Sequence, residues 1–309
     1  MTTWSSRDVP ELPGSLFVIT GGNSGIGWEA AKVLADRKAE VVLACRNADK
    51  ARGAVEAITS ASPGARVSAM SLDLASLKSV RAFAAELAEK HGRLDVLINN
   101  AGLMAIPKAL TEDGFEMQLG VNHLGHFALT GLLVPLLEKS RAPRVVNLAS
   151  QAHRMGKMNF DDLMSERRYD RWVAYGQSKL ANLLFTFELG RRLAARMPAL
   201  KVSAAHPGYA ATNLQSQGAA LGGSQLEGWV MKLGNGILAQ SAAAGALPTL
   251  RAAVDPEAAS GDYFGPRGIG ELAGPPVKVG CTARARDPEA ARQLWARSVE
   301  LTGVDPGGA

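Results

Sequence analysis

The sequence predicts an α/β fold with one doubly wound, parallel sheet of about seven strands and helices on both faces. Three observations lead there. Short β-rich runs alternate with Ala-rich, amphipathic segments, the pattern of repeated βαβ units. The runs are continuously apolar, as strands covered on both faces are. The 309 residues are 47 % hydrophobic, enough for one large core.

The elements follow in order. Strands are expected at 15–20 (SLFVIT), 40–45, 66–72, 94–99, 144–149 and 201–205, with helical spacing at 28–37, 77–91, 112–139 and 175–196. A final helix is bounded by Asp287 as N-cap, Pro288 at its first position and Gly303 at its stop. No repeat or linker interrupts the pattern, so residues 1–309 are expected to form one domain, with 1–13 as an N-terminal arm. Residues 213–240 carry six glycines among Leu221, Trp229, Met231 and Leu233. They read either as a surface excursion or as a substrate lid within the domain.

The bulk chemistry excludes several classes. A net charge of +5, spread without a Lys/Arg block, gives no nucleic-acid footprint. Two cysteines, Cys45 and Cys281, make neither a disulfide framework nor a zinc site, so no metal is expected. MTTWSSRDVPELP has no apolar h-region, and no run reaches about 18 uninterrupted apolar residues, so neither signal peptide nor membrane anchor is expected. A cytoplasmic protein follows as the expectation.

The stretch TGGNSGIG (20–27) lies between the first strand and the first helix. Gly21, Gly25 and Gly27 let the backbone approach a pyrophosphate, and the helix N-terminus faces its charge. Strand, turn and helix together are the context that a dinucleotide fingerprint requires, and the architecture becomes a Rossmann fold. The end of the second strand then selects the cofactor. A carboxylate there bonds a ribose 2′-hydroxyl, whereas an arginine accommodates a 2′-phosphate. Cys45 and Arg46 stand 18 and 19 residues after Gly27, so the carboxylate position is neutral and the next is cationic. NADP(H) is expected rather than NAD(H).

Tyr175 and Lys179, four apart, share a helix face. Ser150 ends the strand RVVNLA, at the edge where open parallel sheets bind ligands. A phenol ordinarily titrates near 10, too high for proton transfer at neutral pH. A neighbouring ammonium and a positive nicotinamide ring would favour the phenolate, and a serine hydroxyl could hydrogen-bond the substrate oxygen.

These pieces resemble the short-chain dehydrogenase/reductase superfamily. The match comprises TGGNSGIG, Asp73-Leu74, NNAG (99–102), Asn122 of VNHLGHF, Ser150, Tyr175-x-x-x-Lys179 and HPG (206–208) with Thr212, in the family's order over about residues 14 to 212. VNHLGHFALT, YGQSKLANLLF, ACRN and the tail DPEAARQLWARSVELTG are similar to the retinol-dehydrogenase-like and WW-domain-oxidoreductase-like branch. The 25-residue step from Ser150 to Tyr175 is usual for that branch, and the inserted segment is expected to form one side of the substrate entrance.

The resemblance implies roles. Tyr175 transfers the proton at the substrate oxygen, Lys179 lowers the tyrosine pKa and binds the nicotinamide ribose, Ser150 polarises the carbonyl, and Asn122 supports a water-linked relay. Gly21, Asn23, Ser24, Gly25, Ile26 and Gly27 would hold the pyrophosphate, and Arg46 the 2′-phosphate. Asp73 and Leu74 would hold the adenine, with Asn99, Ala101 and Gly102 under the cofactor. Pro207, Gly208 and Thr212 would hold the nicotinamide end. The expected activity is NADP(H)-dependent hydride transfer between nicotinamide and an apolar carbonyl or alcohol. C=C reduction of an enone, or cofactor sensing without turnover, are the alternatives. Met104, Met155, Met158, Trp229 and Met231 are candidates for an apolar pocket border. Packing of the 112–139 and 175–196 helices between subunits would give a homodimer or homotetramer.

Overall fold

The structure, a computed structural model, describes residues 3–209 and 240–308. Thr212, Trp229, Met231 and the expected lid up to residue 239 lie outside the described residues.

The six expected strands are present as β1 (Leu16–Thr20), β2 (Glu40–Cys45), β3 (Arg66–Ser71), β4 (Val96–Asn99), β5 (Arg144–Leu148) and β6 (Lys201–Ala205). Two more follow, β7 (Tyr263–Pro266) and β8 (Pro276–Lys278), so the sheet has eight described strands where about seven were expected. Short lengths, glycines and prolines hide β7 and β8 from an apolar-run reading. The order is β3-β2-β1-β4-β5-β6-β7-β8, parallel except for the antiparallel β7–β8 pair. The chain switches direction between β1 and β4, which opens a crevice at their C-terminal ends.

The helices are α1 (Gly25–Asp36), α2 (Ala48–Ala61), α3 (Leu77–Lys90), α4 (Met117–Leu119), α5 (Gly125–Leu137), α6 (Arg171–Leu193), α7 (Ala242–Val254) and α8 (Pro288–Thr302). Alternation along β1 sends its side chains to two cores. Leu16 and Val18 join Phe83, Phe127, Phe185 and Trp295 on one face. Phe17 and Ile19 join Leu34, Ile58 and Leu250 on the other. Each face is therefore dry, and β1 is buried throughout, as its unbroken apolar sequence requires. α8 has its expected ends: the Asp287 carboxylate accepts the Glu289 and Ala290 amides, and Gly303 closes the helix at φ 64°.

Between α4 and α5 the chain makes a π turn, Gly120–Leu124, in which the Gly125 amide reaches back to the Gly120 carbonyl. Such turns recur at functional sites, and this one carries Asn122. Its entry is fixed by Glu116, whose buried carboxylate accepts the Gln118 and Leu119 amides at 2.9 and 2.7 Å. The run Met117–Leu137 is long and apolar enough to cross a membrane, and 78 % of its apolar window is buried within the fold.

Candidate active site

The phosphate-binding turn follows β1 at the switch point. Gly21 has φ 64°, and a Cβ on Gly27 would lie 2.5 Å from Asn100 Nδ2 and 2.7 Å from the Gly21 carbonyl oxygen. Neither position admits a side chain, so α1 begins flush against the turn. Ser24, the residue before α1, makes no side-chain cap to the first amides. A helix N-terminus without a side-chain cap, behind a turn stripped of Cβ atoms, fits a pyrophosphate.

The two turns on either side of the switch point are tied together. Thr20 Oγ1 accepts the Asn100 and Ala101 amides, both at 2.9 Å, and Asn100 Nδ2 donates to the Thr20 carbonyl at 2.8 Å. Asn99, expected under the cofactor, has its side chain elsewhere. Its Nδ2 donates to Asn147 Oδ1 at 2.8 Å and Thr130 Oγ1 at 3.0 Å, inside the sheet. Asn100, the second asparagine of NNAG, braces the phosphate turn instead. Its only sequence signal was adjacency, because strand β4 ends at Asn99 and the next side chain is free to turn.

Arg46 and Asp73 end neighbouring strands. The guanidinium lies 4.0 Å from the Asp73 carboxylate and is 75 % exposed, so its donors are available to a ligand. Asp73 Oδ1 also accepts the Ala75 amide. Cys45 is buried, and its thiol is pushed up to about 11 by that burial, against opposing hydrogen bonds from Asn23 and Gly22.

Tyr175, Lys179, Ser150 and Asn122 converge at the C-terminal end of β5. Asp170 caps α6 by accepting the Trp172 and Val173 amides at 2.9 Å, which places Tyr175 in the helix's first turns and Lys179 one turn on. The helix begins at Arg171, earlier than the expected 175. Lys179 Nζ donates to the Leu148 carbonyl at 3.1 Å and lies 5.8 Å from the centre of the Tyr175 ring. Both side chains are buried, at 6 % and 4 % exposure. Burial pushes the phenol above its usual range, opposed by a hydrogen bond with Ser150, and pulls the Lys179 ammonium down to about 8. Asn122 Oδ1 accepts the Leu103 amide at 2.7 Å, while Nδ2 donates to Ser178 Oγ and the Leu103 carbonyl, both at 2.9 Å. A Cβ on Gly102 would meet Asn122 Oδ1 at 3.1 Å and Lys179 Nζ at 3.4 Å, so Gly102 leaves a cradle in front of both.

Sequence reasoning missed one polar cluster beside Ser150. His206 Nδ1 accepts the Gly208 amide at 3.2 Å, so Nε2 carries the proton and donates to Glu271 Oε2 at 2.9 Å. Gln151 donates to the same carboxylate and Arg154 donates to its other oxygen at 3.0 Å. Glu271 thereby joins the segment after Ser150 to the HPG turn. It comes from the β7–β8 connection, 65 residues from His206, and no local pattern marks it. Burial lowers His206 to about 4, with Glu271 opposing. Of the pocket-border candidates, Met155 is 59 % exposed, whereas Met158 packs against the core behind α6.

Known proteins share this chain's sequence pattern and fold. The family model described as short chain dehydrogenase matches residues 15–220. The chain is 44 % identical over 297 residues to retinol dehydrogenase 13 of Homo sapiens, covering 95 % of this chain and 86 % of that one. Its structure is similar to that of an uncharacterized protein from Mycobacterium paratuberculosis, with TM-score 0.81, 42 % identity and coverage of 98 % and 99 %. It is also similar to the NADP active-site complex of RhlG from Pseudomonas aeruginosa, with TM-score 0.55, 27 % identity and coverage of 70 % and 80 %. The chain belongs to the short-chain dehydrogenase/reductase family of nicotinamide-dependent oxidoreductases, in its retinol dehydrogenase-like branch.

Proposed function

We propose that the chain is a cytoplasmic, NADP(H)-dependent carbonyl reductase or alcohol dehydrogenase acting on an apolar ketone, aldehyde or alcohol. The observation that carries it is the convergence of Tyr175, Lys179 and Ser150, with a buried phenol and a buried ammonium on successive turns of one helix.

A nicotinamide cofactor held by the turn at 21–27 and by Lys179 would supply or accept the hydride. Ser150 holds the substrate oxygen and orients it. Tyr175 gives its phenolic proton to that oxygen in reduction and takes it back in oxidation. Lys179, bridged to the Leu148 carbonyl, keeps its cationic head near the phenol and stabilises the phenolate as it forms. Burial raises the phenol, the Ser150 hydrogen bond opposes that rise, and a cation 5.8 Å from the ring centre favours the phenolate further. Asn122 steadies the Leu103 segment in front of Lys179.

Arg46, exposed at the end of β2 with its donors available, supports the 2′-phosphate form of the cofactor. The NADP in the RhlG complex is in keeping with that choice. The name retinol dehydrogenase for the curated relative supports an apolar alcohol or its carbonyl as substrate. A panel of apolar aldehydes and ketones with purified protein, followed by NADPH absorbance, tests the reading. Turnover of at least one class, abolished in Tyr175→Phe, is expected. NADPH binding with no consumption across the panel would sink it in favour of a sensor.

A further inference from the structure

The apolar helix α5 (GHFALTGLLVPLL) buries one imidazole near its start, His126, at 2 % exposure. Each ring nitrogen has a partner. Nδ1 lies 3.1 Å from the Asn122 carbonyl oxygen, and Nε2 lies 2.9 Å from Thr20 Oγ1. The chemistry of the partners assigns the protons. A carbonyl oxygen can only accept, so Nδ1 carries the hydrogen and donates it. Nε2 of the neutral ring is then an acceptor. Thr20 Oγ1 already accepts the Asn100 and Ala101 amides, so its own hydrogen is directed to Nε2, with the Ile98 carbonyl 3.5 Å away as a poorer alternative.

One unbroken set of hydrogen bonds results. It runs from the NNAG amides through the Thr20 hydroxyl and the His126 ring to the backbone of Asn122. Thr20 is the last residue of β1 and the neighbour of Gly21, where the phosphate turn begins. Asn122 sits in the π turn, and its side chain holds Leu103, whose neighbour Gly102 borders Lys179. Any buried imidazole needs partners for its nitrogens, so the information lies in which groups it meets. Both ends here meet groups that belong to different parts of the site.

We propose that His126 is a positioning residue: a neutral strut that sets the Asn122 carbonyl in the π turn and ties it, through Thr20, to the phosphate-binding turn. The inference rests on the reading of Asn122, Ser150, Tyr175 and Lys179 as the reacting centre. The strut takes up no proton during turnover, since burial, reinforced by the nearby Lys179 charge, lowers its ring to about 4. One lone pair of the Asn122 carbonyl is occupied by Nδ1–H, which fixes the direction of that carbonyl in the turn. Loss of the strut lets that carbonyl and the turn carrying it relax, and misplacement of a positioning group costs on the order of ten- to a hundredfold in rate.

Side chains that mimic one nitrogen at a time provide the test. The Asn amide nitrogen occupies the place of Nδ1, and the Gln amide oxygen that of Nε2. His126→Phe, His126→Asn, His126→Gln, Thr20→Val and Thr20→Ser are compared with wild type for kcat, KM of the carbonyl substrate, KM of NADPH and thermal midpoint. The strut predicts that His126→Phe lowers kcat roughly tenfold or more and raises the NADPH KM, with the carbonyl KM little changed. His126→Asn restores most of kcat, because it keeps the bond to Asn122. His126→Gln instead restores the NADPH KM. Thr20→Ser behaves as wild type, and in a Thr20→Val background His126→Phe adds little to the NADPH KM, as expected for one connected network.

Wild-type kcat in His126→Phe overturns the proposal. So does His126→Asn no better than His126→Phe at equal thermal midpoint, or additive effects on the NADPH KM in the double variant. If His126→Phe does not fold, the Asn, Gln and Thr20 variants carry the same comparison. Tyr175→Phe, run alongside, separates the two readings. Full activity there refutes the reacting centre, whereas loss there with full activity in His126→Phe refutes only the strut.

Discussion

The Arg46 guanidinium lies 4.0 Å from the Asp73 carboxylate, across the ends of two neighbouring strands. The arginine is 75 % exposed, and an ion pair so open to water contributes at most about 1 kcal/mol. A phosphate dianion offers the guanidinium charge-assisted bonds worth roughly 1.5–3 kcal/mol each. The pair is therefore easily exchanged for a ligand. Arg46→Ala is expected to weaken NADPH binding about ten- to a hundredfold while leaving NADH nearly unchanged. Cys45→Asp combined with Arg46→Ala should turn the preference to NADH, read as kcat/KM with each cofactor. A wild type that already prefers NADH would return Arg46 to a solvated surface residue.

Tyr175→Phe removes the acidic proton and keeps the ring against Trp172, whose centre is 6.4 Å away. Loss of a general acid of this kind costs about a hundred- to ten-thousandfold in rate. NADPH affinity, measured by nicotinamide fluorescence, should be retained. Equal kcat in the variant would show that another group moves the proton.

Stability should fall on acidification below the ordinary histidine range. Burial holds the His123 ring down to about 3 and the His126 ring to about 4. Both have folded values below the unfolded value of 6.5, so the unfolded chain takes up protons first as pH drops. Their contribution is complete above about pH 6.5 and is lost progressively toward pH 4 and below. For His126 the shift from 6.5 to about 4 corresponds to roughly 3 kcal/mol. Urea titrations at neutral pH and near the lower limit should show the loss, with a shallower pH dependence in His123→Phe. A flat profile would mean that the buried rings are charged in the folded state.

Glu271→Ala should be more damaging than Glu271→Gln. The alanine leaves the His206 Nε2–H without its acceptor at 2.9 Å, and an unmet buried donor costs about 1–3 kcal/mol. It also releases Gln151 and Arg154 from the HPG turn. The expected signature is a lower thermal midpoint and a raised KM for the carbonyl substrate, with glutamine recovering part of both. Equal behaviour of the two variants would show that the link is incidental.

The strands and their order of appearance were legible because β1, β2, β4, β5 and β6 are mostly apolar and buried on both faces along nearly their whole length. The tetrad candidates were legible as a motif, and the structure brings Asn122, Ser150, Tyr175 and Lys179 to one end of the sheet. β7, β8 and the Glu271 cluster were not, because their partners are distant in sequence and their residues carry no period. Asn99 and Asn100 show the same limit at closer range. Adjacent and chemically identical, they diverge into the sheet and into the phosphate turn, and only the end of β4 decides which does which. His126 was visible only as one polar residue among apolar ones, a pattern that also fits a core histidine.

The turn at Gly120–Leu124 makes the helix one residue too long for regular winding. Deletion of a single residue there would restore even winding, and the residues on its N-terminal side would keep nearly their place relative to α5 while the wide turn that carries Asn122 closed up. The shortened helix would gain regularity, while Asn122 would lose the wide turn that presents it. Length in this segment is thus under a constraint that point substitutions do not reveal. A library of one-residue insertions and deletions across 117–137 should keep folded protein more often than it keeps turnover.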